Sequence, residues 1–124
     1  MKTLSALVAF GFAAGATASF AQAVEDGYPR GSLAVAAIER GDWARAEQLL
    51  NRPLVDRDDP ARLINLGQVY LHTGRHAQAL AAFRAALDSN RHVQVGTLSG
   101  RFVSTREVAR DALARYETAQ LGTR

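Results

Sequence analysis

Residues 33–50 can be laid over residues 66–83 with a shift of 33 positions. Leu33 falls on Leu66, Ala34 on Gly67, Gly41 on Gly74, Trp43 on His76, Ala46 on Ala79 and Leu50 on Phe83. A fixed period of this size means that each copy is one supersecondary unit. Such a unit cannot bury its apolar face alone and must stack on its neighbour. Inside each copy the apolar residues recur at helical spacing on both sides of a glycine, the pattern of two helices joined by a tight turn. The residue types fit close approach: a very small side chain where two antiparallel helices meet (Ala34 and Gly67 facing Ala46 and Ala79), then a large one, Leu50 or Phe83, one turn on. The expected fold class is all-α: two antiparallel helix pairs over residues 32–90 and a C-terminal capping helix over 105–121.

Local signals sharpen this outline. Gly and Pro in residues 24–31 deny that stretch a regular backbone and make it an irregular lead-in. A first helix is expected over 32–40, ended by Gly41 in the left-handed conformation that glycine takes without strain. Asp42 can accept hydrogen bonds from the free amides of the next helix, whose apolar face is Trp43, Ala46 and Leu50. Asp59-Pro60 repeats the device, with an acceptor at the cap and proline in the first turn. Leu63, Leu66, Gly67 and Tyr70 then share one face, and His76, Ala79, Leu80, Phe83, Ala86 and Leu87 another. Residues 91–104 change texture. The β-branched and aromatic run broken by Ser99-Gly100 predicts either an extended loop or a short hairpin of Val93–Leu98 with Arg101–Val103. Ser104 and Glu107 form a capping box that opens the last helix, with Val108, Ala112, Leu113, Tyr116 and Ala119 facing inward.

The run Asn65-Leu-Gly to Ala86 resembles the tetratricopeptide repeat. It carries that family's order of Leu, Gly, Tyr, Gly, Ala, Phe and Ala at Leu66, Gly67, Tyr70, Gly74, Ala79, Phe83 and Ala86. The first copy matches over Gly41, Asp42, Trp43 and Ala46. It departs at Ala34, where Gly is common, and at Ala37, where an aromatic is. Arg91 stands where a proline usually follows the second unit. The resemblance implies a non-enzymatic interaction module that takes a peptide or protein in the groove lined by the first helix of each unit. Asn65 matches an asparagine with which family members grip a ligand backbone. Helical geometry adds Gln68 and His72 to that face, with Ile38 and Glu39 from the first unit. Two units make a short groove, so self-association is also expected. A small-ligand carrier with a pocket between hairpin and helices is the alternative.

The first 23 residues read as an address rather than as part of the domain. Lys2 precedes an uncharged run from Leu4 to Ala18, and Ala21-Gln22-Ala23 offers a small-residue cleavage site. The apolar run falls short of the roughly 20 residues that span a bilayer. The expectation is a periplasmic or secreted protein of bacterial type, cleaved after Ala23 and not inserted in a membrane afterwards. The remainder carries 14 Arg against 12 Asp and Glu, a net +2. These arginines are scattered singly, so no basic face tracks a phosphate backbone and nucleic acid is not an expected partner.

Chemistry-bearing patterns are sparse. The absence of Cys excludes disulfides, thiol nucleophiles and Cys metal sites. His72 and His76 are separated by Thr73-Gly74 and do not share a helical face. His92 is isolated, so no metal site is assigned. Asp56, Asp58 and Asp59 lack the glycine and distal Glu of a calcium loop. No nucleophile elbow or phosphate-cradling glycine loop appears. No enzyme activity or cofactor is expected. Trp43, Tyr70, Phe83 and Tyr116 read as core, Tyr28 and Phe102 as exposed contacts.

Overall fold

The computed structural model describes residues 28–96 and 102–122. The expected signal segment and its cleavage site, residues 24–27 of the lead-in and the tip of the hairpin lie outside the described residues. Five helices and one two-stranded ribbon follow in order: α1 Val35–Glu39, α2 Trp43–Leu50, α3 Pro60–His72, α4 His76–Asp88, β1 Gln94–Gly96, β2 Phe102–Ser104 and α5 Thr105–Gly122. The fold is all-α apart from the ribbon.

The 33-residue period is written into the backbone hydrogen bonds. Asp42 N–H donates to Ala37 C=O at 2.9 Å, and 33 positions later Arg75 N–H donates to Tyr70 C=O at 2.8 Å. Gly41 to Ile38 and Gly74 to Leu71 form the second matching pair. Both turns require a left-handed residue, and Gly41 and Gly74 take φ of 70° and 75°. Each helix that follows is capped differently. Asp42 accepts from Arg45 N–H, whereas Arg75 offers no side-chain cap and is engaged elsewhere. Asp59 Oδ1 accepts from both Ala61 and Arg62 amides, with Pro60 in the first turn as expected.

The two copies differ most in their first helix. The helix expected over 32–40 forms only at Val35–Glu39, because Ala34 sits at φ 58°, a left-handed backbone that stops the helix from starting earlier. Ala34 is therefore not the helical counterpart of Gly67, although its buried methyl joins Ala37, Ile38, Ala46, Leu50, Leu66 and Val69 in one apolar cluster. A second cluster is built from Leu33, Ile64, Ala79, Phe83 and Ala86, closed by Ala109, Ala112 and Leu113 of α5.

The tightest approach at Gly67 is to Phe83. A Cβ built there would lie 2.5 Å from the Phe83 ring, so the glycine makes room for an aromatic that is itself fully buried. The capping helix packs on α4 and α3. Its inward face uses Ala109 together with Ala112 and Leu113, while Ala119 is exposed. That corrects the predicted face by a fraction of a turn.

The hairpin forms, with three described residues in each strand. Gln94 pairs with Ser104, Val95 with Val103 and Gly96 with Phe102, antiparallel. A ribbon this short is marginal alone, and two contacts tie it to α5. Thr105 N–H donates to Val93 C=O at 2.9 Å, and Thr105 Oγ1, fully buried, accepts from Val93 N–H. Ser104 Oγ accepts from Glu107 N–H, the hydroxyl half of the capping box.

Candidate functional site

Asn65 and Gln68 lie three residues apart on α3, and the structure buries both side chains, against the expectation of an exposed groove face. Asn65 Nδ2 donates to Leu33 C=O at 2.9 Å, so the asparagine clamps the segment leading into α1. Its Oδ1, Gln68 Oε1 and Ser32 Oγ are buried and make no hydrogen bond. Buried polar atoms are seldom left so, and these three belong to the segment leading into α1 and to the middle of α3. Ile38 is also buried, in the apolar cluster between the units, because α1 is short enough to lie inside the inter-unit packing. Of the five groove residues read from the sequence, Glu39 alone is exposed.

His72 is half-buried and stacks face to face on Trp43, with ring centroids 4.1 Å apart and planes 10° from parallel. Burial holds its imidazole below the ordinary value of 6.5. This contact joins the start of α2 to the end of α3 and was legible in neither residue alone. His76, the positional equivalent of Trp43, is exposed and tilts against Tyr116 of the capping helix instead. His92 meets Thr105 through Nδ1 and Arg106 through Nε2, so the three histidines serve three separate contacts.

Arginines fasten the unit boundaries. Arg75 grips Glu47 through both terminal nitrogens, at 2.9 and 2.5 Å, and lies over the Tyr70 ring, 4.7 Å from its centroid. The Arg75 hydrogen bond lowers the Glu47 carboxyl below its ordinary range, against an opposing effect of burial. Arg62 reaches back from α3 to the end of α2 through three neutral acceptors: Leu50 C=O at 2.7 Å, Arg57 C=O at 2.9 Å and Asn51 Oδ1 at 3.2 Å. Arg91 spans from the end of α4 to Asp56 and Asp58.

Tyr28, expected to be exposed, is half-buried and donates from its hydroxyl to Asp59 Oδ2 at 2.9 Å. Burial first and this hydrogen bond second hold its phenol well above the ordinary value. Phe102 is 76 % exposed, as expected. Two open surface cavities flank the loop after α2. One, about 550 Å³, is lined by residues such as Arg57, Leu63, Ala85 and Asp88. The other, about 490 Å³, lies between Asn51 and Arg62. Neither is lined by the hairpin. No helix among the described residues is long and apolar enough to cross a membrane.

Helix pairs repeated at a fixed period and packed through small and aromatic residues define a helical-repeat protein. Comparison with protein-family models is specific: residues 27–52 and residues 60–92 each match the tetratricopeptide repeat. The chain carries two tetratricopeptide repeats, over residues 27–52 and 60–92. No curated protein and no solved structure matches it.

Proposed function

We infer that this chain is an exported adaptor that binds a peptide or protein partner through the inter-unit face of α3, and that its working compartment is the bacterial periplasm. Tetratricopeptide repeats generally mediate contacts between proteins, which supports the scaffold role. One observation carries the reading. The two matched units are joined across α2 and α3 by contacts that fix their relative angle, namely the Trp43–His72 stack, the Glu47–Arg75 pair and the Arg62 clamp. A fixed angle between units is what pre-organises a recognition surface, since the entropy of ordering it is already lost in the free protein. Export rests on the charge, apolar and small-residue layout of the first 23 residues.

The buried state of Asn65, Gln68 and Ser32 refines the expected role of these residues. They hold the inside of the seam, where Asn65 ties α3 to the segment leading into α1. His72 and Glu39 form the outer part of the same face and meet a partner first.

A photo-crosslinking residue placed at Glu39, in the tagged full chain expressed in a bacterial host, tests the reading. One discrete adduct, lost on His72→Ala while helical content is kept, supports the adaptor. Adducts with itself alone, unchanged by the substitution, overturn it. The mass of the purified protein tests export separately, because cleavage after Ala23 leaves Val24 at the N-terminus.

A further inference from the structure

The 490 Å³ cavity beside the loop between α2 and α3 is lined by more arginines than carboxylates. Its lining includes Arg52, Arg57 and Arg62, with Asp56 as its sole carboxylate. That carboxylate is already engaged, since Asp56 Oδ2 receives Arg91 Nη1 at 3.1 Å. Arg62 is the important member. It is only 8 % exposed, yet its three hydrogen bonds all go to neutral oxygens. No carboxylate lies within ion-pair distance of it among the described residues. A buried charge of this kind is costly unless a counter-ion or many dipoles compensate it. Burial works against its protonated form and Arg57 adds repulsion, while Tyr70 and Asp59 partly offset them. The end of α2 supplies part of the compensation through the Leu50 carbonyl.

The guanidinium group has five N–H donors, and two are left over once the three bonds are made. Arg52 and Arg57 are exposed, and their side chains make no hydrogen bond among the described residues. Three guanidinium groups line the cavity against one carboxylate that Arg91 already holds, Arg91 also holds Asp58 just outside the lining, and planar guanidinium forks suit phosphate geometry.

We propose that this loop binds a phosphate-class dianion, seated on Arg62 and closed over by Arg52 and Arg57. The site lies at the first turn of α3, at the opposite end of that helix from His72, and takes its ligand whether or not a protein binds at the His72 end. Its occupant is either free inorganic phosphate or the phosphoryl group of a phosphorylated small molecule, and the chemistry of recognition is the same for both.

The test is calorimetric titration of the full chain with inorganic phosphate, and in parallel with phosphoserine, at constant ionic strength set by sodium chloride. Saturable binding is expected. Arg57→Gln and Arg52→Gln should each raise the half-saturating concentration about tenfold, equivalent to about 1.4 kcal/mol. Arg110→Gln, on the exposed face of α5, should leave it unchanged. Tighter binding of phosphoserine would assign a carried phosphoryl group, and tighter binding of phosphate the free ion. Either ranking supports the site. Heat that never saturates, or an equal loss in the Arg110 variant, overturns it. Arg52 and Arg57 hold no packing role, so circular dichroism of both variants should match the parent and an unfolded variant cannot mimic the expected loss.

Discussion

Adding a single methyl group at Gly67 sets two opposing effects against each other. In the interior of a 13-residue helix, alanine is favoured over glycine by about 1 kcal/mol. The same methyl would sit 2.5, 2.7 and 2.9 Å from Cε1, Cζ and Cδ1 of Phe83, where ordinary contact begins at 3.4 Å. Relief needs a displacement of nearly an ångström, and the ring has little freedom to move. Phe83 is fully buried in the cluster with Ile64, Ala79 and Ala86, and overpacking in such a place costs about 1–3 kcal/mol. With three ring atoms in conflict, the upper end applies, and the net loss for Gly67→Ala is about 2 kcal/mol. For a domain of this size that corresponds to a fall of about 10 °C in Tm.

Thermal and urea unfolding followed at 222 nm measure the change. A Phe83→Leu background supplies the second arm, because removing the ring removes the clash. The two substitutions should couple favourably by about 1 kcal/mol or more. An unchanged or raised Tm for Gly67→Ala alone would refute the reasoning, because it would mean that the helix preference wins and the close approach is soft.

Ala34→Gly should fall within about 0.5 kcal/mol of the parent in urea unfolding, since relief of the left-handed backbone offsets the lost methyl and the added chain entropy. Ala79→Gly, which gains no such relief, should cost about 2 kcal/mol. Asp59→Ala removes the cap of α3 and the partner of Tyr28 together and should cost about 1–2 kcal/mol, whereas Asp59→Asn, which keeps an acceptor for the two amides, should cost less in the same assay. The Glu47 carboxyl is held below its unfolded value, so its contribution is complete above about pH 4.5 and is lost as pH falls through the folded value. Glu47→Gln should flatten the acid limb of a stability–pH curve there, and an unaltered limb would show that the pair contributes nothing.

The helical pairs, their glycine turns and the capping acids were legible because each depends on a few adjacent residues. Gly41 and Gly74 need φ above zero, and Asp42 and Asp59 need only the amides that follow them. What the pattern missed depends on contacts across units. Ala34 looked like the counterpart of Gly67 because both are small. Its backbone state is set by the turn formed by residues 29–34, where Ser32 N–H bonds Pro29 C=O, and small size does not report φ. Asn65 and Gln68 sit at positions that helical geometry leaves open to solvent, but whether a helix face is covered depends on what lies across from it. Tyr28 was read as exposed because it precedes the repeat, and nothing local to it names Asp59 as its partner. The stack of Trp43 on His72 joins residues 29 positions apart, beyond the reach of any short motif.

The seam between the two units is fastened unequally along its length. At one end Arg62 holds the close of α2 through uncharged oxygens. At the other, the start of α2 leans on α3 through stacked rings, and the Glu47–Arg75 pair lies there, partly open to solvent. Dissolved ions screen a pair of opposite charges in reach of water far more than a buried bond to a carbonyl. Rising ionic strength therefore loosens one end of the seam and spares the other. The apolar cluster of Ala37, Ile38, Leu50, Leu66 and Val69 and the Trp43–His72 stack do not depend on salt and keep the two units together at either end.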